Sequence, residues 1–253
     1  MKAGKLYSIA AAFILLNILL PLHAAGTEPT LLPVQVDLHD KAALQRGAAF
    51  YMNYCSGCHS LKYMRYNRMA KDLGLTTFSG EVDTDLLVNN LIFTEATPHS
   101  PIQIGMPEED ARQWFGVVPP DLSLTARERG LEWIYTYLNS FYADAARPFG
   151  ANNLLVENVA MPNVLEPLIG RVIVPDPKNK NIESLLLVEQ GSMSESQFDS
   201  ALHDLVTFLA YVGEPAQLLR YKIGVGVLVF LFIFLIVAWL LKKVYWKQLK
   251  NSA

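Results

Sequence analysis

The sequence predicts a mainly α-helical domain with long loops, followed by one C-terminal transmembrane helix. Three observations carry that prediction. Apolar residues recur at helical spacing in four segments, the stretches between them are rich in Pro, Asn and Gly, and residues 223–241 contain no charge. At 253 residues the chain can sustain a core without disulfide staples. A hydrophobic content of 51% is high for a soluble protein and directs attention to segments that belong in lipid.

Two such segments lie at the ends. Lys2 and Lys5 precede an apolar run from Ile9 to Leu20, and Pro21, Ala24, Ala25 and Gly26 follow it. Basic start, short apolar middle and small-residue end are the order of a secretory signal, so residues 1–25 are expected to be removed. The second segment, Ile223 to Leu241, would be about 28 Å long as a helix at ~1.5 Å per residue, enough to span a bilayer. Lys242, Lys243, Lys247 and Lys250 follow it without an acid, whereas only Arg220 and Lys222 closely precede it. That excess places the C-terminus in the cytoplasm, with Trp239, Tyr245 and Trp246 at the interface. The expected organisation is an exported domain over 26–219, a transmembrane helix over 220–242 and a cytoplasmic tail over 243–253.

The net charge of −3 conceals an asymmetry. Residues 25–219 hold 13 Lys and Arg against all 24 Asp and Glu, a net −11. Such a domain repels nucleic acid and steers basic proteins toward itself.

Within the domain, residues 27–38 contain proline and read as extended. Asp40 can cap a helix that runs into the cysteine motif with Leu44, Ala48 and Tyr51 on one face. A second helix is expected over about Asp83–Phe93, on Leu86, Leu87 and Leu91. Residues 96–113, with Pro98, Pro101 and Pro107, read mostly as loop. An aromatic helix is expected over about Leu131–Tyr142. Loops with a short strand near Leu168–Val174 fill 147–181. Ser194 and Gln197 form a capping box ahead of Phe198, Leu202, Leu205, Val206 and Leu209, and Gly213 with Pro215 ends that helix.

The chain's only two cysteines fall in Tyr54-Cys55-Ser56-Gly57-Cys58-His59-Ser60. A thioredoxin-like redox pair would follow a strand, but here a helical pattern leads in. A structural zinc site normally wants four Cys or His ligands, and the sequence has no second Cys pair. Covalent haem attachment needs two thiols three residues apart, one for each vinyl group, and an adjoining imidazole below the iron. At the opposite axial position a thioether would suit electron transfer, and an open site would suit gas binding or catalysis. Met106 and Met161 each precede a proline in loop-like sequence; Met161 is the better placed, between the aromatic helix and the last helix, and spacing alone leaves Met106 open.

The chain resembles cytochrome c1, the haem c subunit of the quinol:cytochrome c oxidoreductase (cytochrome bc1) complex, of proteobacterial type. The resemblance rests on Cys55-Ser56-Gly57-Cys58-His59-Ser60-Leu61, Val118-Pro119-Pro120-Asp121-Leu122-Ser123, Trp133-Ile134-Tyr135-Thr136-Tyr137-Leu138, Val159-Ala160-Met161-Pro162 and the C-terminal anchor. It implies a c-type cytochrome domain with one covalent haem c on Cys55 and Cys58, His59 and Met161 as axial ligands to the iron, Pro119 and Pro120 packed on the ring, and Arg129 paired with a propionate, a role Arg127 could also take. Met193 is expected to pack. The disulfide that extra cysteines allow in some family members is impossible here.

The resemblance further implies an inner-membrane protein with its haem domain in the periplasm. It would be the one-electron relay of a respiratory enzyme, in a dimeric complex with cytochrome b and surrounded by lipid. A Rieske iron-sulfur protein would donate, and a soluble or membrane-attached cytochrome c would accept. No acid-base dyad is expected. The rival is a free-standing membrane-anchored c-type cytochrome serving a terminal oxidase or reductase.

Overall fold

Asp40 caps the first described helix, its carboxylate accepting from the Ala43 N–H at 3.0 Å. The computed structural model describes residues 30–176 and 180–251; the expected signal over 1–25 lies outside them. Helix α1 (Lys41–Tyr54) leads into the cysteine motif. Strand β1 (Leu61–Arg65), helix α2 (Tyr66–Leu73) and helix α3 (Thr84–Asn90), capped by Asp83, follow. Strand β2 (Pro101–Ile102) returns antiparallel to β1 with Leu61 opposite Ile102.

Helix α4 (Glu108–Phe115) corrects the expectation of loop over 96–113. Pro107 occupies its N-cap, and Glu108, Glu109 and Asp110 fill its first turn, where the helix dipole favours acids. The proline read as a loop marker was therefore a start signal. Helix α5 (Thr125–Arg129) precedes α6 (Leu131–Asn139). The aromatic helix stops at Asn139, and Phe141 and Tyr142 enter β3 (Phe141–Ala143), antiparallel to β4 (Ala151–Asn153).

The expected strand near Leu168–Val174 is divided between a one-turn helix α7 (Glu166–Ile169) and β5 (Gly170–Ile173). A 3₁₀ turn (Ile182–Ser184) leads to β6 (Leu186–Gln190), which pairs with β5 and is exposed along its length. Gly170 has φ 105°, and a Cβ there would lie 1.9 Å from the Glu189 carbonyl oxygen. Only glycine fits. Helix α8 (Glu195–Gly213) starts at the expected Ser194–Gln197 capping box.

The core forms where α1 packs along α8. Tyr51, Leu61, Met69, Leu202, Val206 and Phe208 are fully buried there, each apolar side chain contributing about 1.5–3 kcal/mol by its removal from water. Gly47 sets how closely the helices approach: a Cβ on it would meet the Asp204 carbonyl oxygen at 2.1 Å and the Phe208 Cβ at 2.7 Å. Beside it, Arg46 donates two hydrogen bonds to the Asp204 carboxylate at 2.6 and 2.9 Å. The extended segment before α1 half-buries Leu32, Val34, Val36 and Leu38 alternately. It is tied to α6 by the Leu32 N–H on Thr136 Oγ1 at 2.8 Å.

Helix α9 (Gln217–Asn251) starts after the three-residue connection Glu214-Pro215-Ala216. Its Gln217–Gln248 portion is the one helix among the described residues that is long and apolar enough to cross a membrane, and none of it is buried. It is longer than the apolar run, continuing through the lysines. Arg220 pairs with Glu214 at 2.6 Å across the connection.

Gly47→Ala should cost about 1–3 kcal/mol or more, because backbone must move to admit the methyl group. Chemical denaturation measures this, and an unchanged midpoint would show that the helices can part at no cost.

Candidate metal centre

The cysteine motif is a tight extension of α1. The Cys55 and Ser56 N–H groups both donate to the Tyr51 carbonyl at 2.9 Å, and those of Cys58 and His59 donate to the Cys55 carbonyl at 3.1 and 2.9 Å. This winding holds both sulfurs and the imidazole within about one turn. The thiols are free and half-buried. Burial pushes the Cys55 thiol up to about 12, with Cys58 adding to the effect, and burial also raises Cys58. A disulfide oxidoreductase needs the opposite shift, toward thiolate.

The His59 Nδ1 lies 2.8 Å from the Pro120 carbonyl oxygen. A carbonyl can only accept, so Nδ1 carries the proton and Nε2 keeps its lone pair for a metal. Burial lowers the His59 pKa, against the opposing pull of the Pro120 carbonyl and Asp121, and favours the neutral, ligating form. Tyr51, fully buried on α1, donates its hydroxyl to the His59 carbonyl.

The Val118–Ser123 segment is fastened to the residues after His59. Asp121 accepts from the Lys62 N–H at 2.8 Å through one oxygen and from the Ser123 N–H at 2.9 Å through the other. The Leu122 N–H donates to the Ser60 carbonyl at 2.9 Å, and the Tyr63 N–H to Ser123 Oγ at 3.2 Å. Pro119 is half-buried and Pro120 exposed.

Met161 belongs to a second apolar cluster, with Phe141, Ala151, Val159 and Tyr137, whereas Cys55 packs against the main core. The Tyr137 hydroxyl donates to the Met161 sulfur at 3.4 Å, and burial pushes that phenol up to about 12, so it is protonated. Trp133 stacks on Tyr137 with ring centroids 5.0 Å apart and planes at 9°. Met106 follows the segment whose Ile104 N–H donates to Ser60 Oγ at 3.1 Å. Arg129 lies 3.9 Å from Glu128 and 5.2 Å over the Trp133 ring; the Arg127 stem packs beside the place of a Cβ on Gly213, at 3.3 Å. Met193 packs against the core, as expected.

Two free thiols on one turn and an imidazole with its Nδ1 occupied form a donor set that fits a covalently held haem. Sequence reasoning missed the roles of Asp121, of the Tyr137 hydroxyl and of buried Asn152 and Asn153. Asp121 and Tyr137 stood inside the quoted motifs without a role of their own, and the adjacent asparagines gave only the signal of a polar, loop-rich stretch.

The model of the Cytochrome C1 family matches residues 34–249. The chain is 48% identical over 246 residues to a cytochrome c1 of Allochromatium vinosum, covering 95% of this chain and 98% of that one. It is 40% identical to a protein of Nitrosomonas europaea named ammonia monooxygenase gamma subunit, covering 94% and 97%. Identity to a cytochrome c1 of Rhodospirillum rubrum is 26%, covering 84% of each.

Asp121→Ala leaves the Lys62 and Ser123 N–H groups without their acceptor. The expected loss is about 1.5–3 kcal/mol, typical of hydrogen bonds to a charged group, read from chemical denaturation. Unchanged stability would mean water replaces the carboxylate fully.

Proposed function

The chain belongs to the cytochrome c1 family, and on that premise we propose how its residues serve electron transfer in the cytochrome bc1 complex. Family membership brings a covalently bound haem c, which supplies one-electron cycling of its iron. Cys55 and Cys58 would hold it through thioethers, and His59 and Met161 would ligate its iron. The carrying observation is the hydrogen bond between His59 Nδ1 and the Pro120 carbonyl, which leaves Nε2 of a ring beside two free thiols directed to metal binding. Met161 is favoured over Met106 because its sulfur already receives a directed donor from a rigid aromatic cluster.

Pro119 and Pro120 present a proline surface to the ring, and the Pro120 carbonyl fixes the imidazole on the same segment. Arg129, stacked over Trp133, is the candidate propionate partner, with Arg127 two residues away. The electron comes from a Rieske iron-sulfur protein and leaves to a soluble or membrane-attached cytochrome c. No proton need move within this subunit; quinol oxidation belongs to the assembled enzyme.

The proposed organisation is a cleaved signal over 1–25, a periplasmic domain over 26–219, an inner-membrane helix over 220–242 beside cytochrome b, and a cytoplasmic tail over 243–253. The complex is dimeric and lipid-embedded. The net charge of −11 over residues 25–219 suits a basic acceptor.

Purification in mild detergent should yield this chain together with b-type haem and an iron-sulfur protein. Acid and organic solvent should then leave the red colour on the polypeptide. Haem leaving with the solvent would remove the covalent attachment, and a chain isolated without b-type haem would favour the free-standing cytochrome.

The rate of reoxidation by a basic cytochrome c should fall as salt rises, because screening over about 8–10 Å weakens steering near physiological ionic strength. A rate insensitive to ionic strength would contradict electrostatic docking.

A further inference from the structure

The Tyr137–Met161 contact goes beyond holding a loop in place. A thioether sulfur bound to a metal uses one lone pair for the bond and retains another. An O–H donor aimed at the sulfur draws electron density from it, weakening its donation to the iron. The oxidised iron carries the greater charge and loses more by this, so the reduced state gains.

Asn153 is bonded to the Tyr137 backbone, and the buried pair Asn152 and Asn153 is bonded to the chain that leads to Met161. On the phenol side, the Tyr137 carbonyl accepts from Asn153 Nδ2 at 2.8 Å, and Trp133 and Phe141 hold the ring from its face and edge. On the sulfur side, Asn153 Oδ1 accepts from the Leu155 N–H at 2.9 Å. Asn152 Oδ1 accepts from the Asn158 N–H at 2.9 Å, steadying a residue at φ 61°. Arg147 then donates to the Asn158 side chain and carbonyl at 3.0 and 2.9 Å. Three residues later comes Met161. Asn152 and Asn153 are 3% and 1% exposed, so water competes little for the bonds of their side chains.

We propose that Tyr137 is a positioning and tuning residue for the Met161 sulfur, raising the reduction potential of the bound haem through its hydroxyl. The inference rests on Met161 being an axial ligand. Tyr137→Phe keeps the stacked ring and removes only the O–H, so it separates tuning from packing.

The experiment compares the full-length, haem-loaded chain in its detergent-solubilised complex with Tyr137→Phe, Met161→Leu and the double variant. It reads the midpoint potential, the sulfur-to-iron charge-transfer band and the denaturation midpoint. Tyr137→Phe should lower the potential, reducing the equilibrium constant for reduction roughly threefold to tenfold, the range of one hydrogen bond. The band should persist but shift. In the Met161→Leu background the same change should leave the potential where Met161→Leu put it.

An unaltered potential in Tyr137→Phe overturns the inference even if stability falls. So does an equal shift with and without the sulfur, which would place the effect elsewhere. Persistence of the charge-transfer band in Met161→Leu would instead overturn the ligand assignment itself.

Discussion

The hydrogen bond between the His59 ring and the Pro120 carbonyl joins residues 61 positions apart, and the rest of the site depends on it. An imidazole at the end of a helix can rotate about its own side-chain bonds. Once Nδ1 is committed to a backbone carbonyl, its tautomer and the direction of Nε2 are settled together. The constraint is strong because neither end is loose. The His59 backbone belongs to the turn that closes α1, with Tyr51 on its carbonyl, and the Pro120 carbonyl stands at the head of a segment anchored to β1 through Asp121 and Ser123 and to Ser60 just before it through Leu122. Proline suits this position because its fixed φ removes one degree of freedom from the carbonyl that must point at the ring.

This arrangement passes outward to the core. Helix α1 ends in the motif and lies against α8, and Gly47 allows that crossing to be closer than any side chain would permit. Helix α8 stops three residues before α9, so the element that seats the cysteine helix also leads to the apolar helix. The ion pair of Arg220 with Glu214 spans this connection, and Pro215 within it cannot continue the helical hydrogen bonding. Orientation of the cysteine-bearing turn and attachment to the apolar helix are thus carried by one continuous stretch of chain.

The long elements were legible because local signals and tertiary burial agree in them. Asp40 and the Ser194–Gln197 pair act as caps, and the apolar stripes they introduce are the buried faces of α1 and α8. Legibility failed where an element is short or lacks an apolar period. Helix α4 has acids and a proline where a core helix would show a stripe, and β6 is exposed along its length, so no alternation betrays it. At the site, the candidate thiol and imidazole ligands announced themselves by spacing, whereas the groups that hold them did not. The Pro120 carbonyl is backbone and has no residue-type signature. The function of Asn153 comes from carbonyl and amide contacts with Tyr137 and Leu155, which only the folded chain brings together.

A one-electron carrier must change charge at a single atom with little rearrangement around it, which favours groups that are oriented in advance and stay neutral. Two phenols meet that requirement on separate elements. Tyr51 donates to the carbonyl of His59 and Tyr137 to the sulfur of Met161; burial raises the pKa of each, keeping both as donors. Their rings are locked by neighbours, Tyr51 against Phe208 and Tyr137 between Trp133 and Phe141. Aromatic packing and polar direction therefore come from the same residues. A side chain with a large apolar body and one fixed donor can do both, and an aliphatic residue of equal size could supply only the packing.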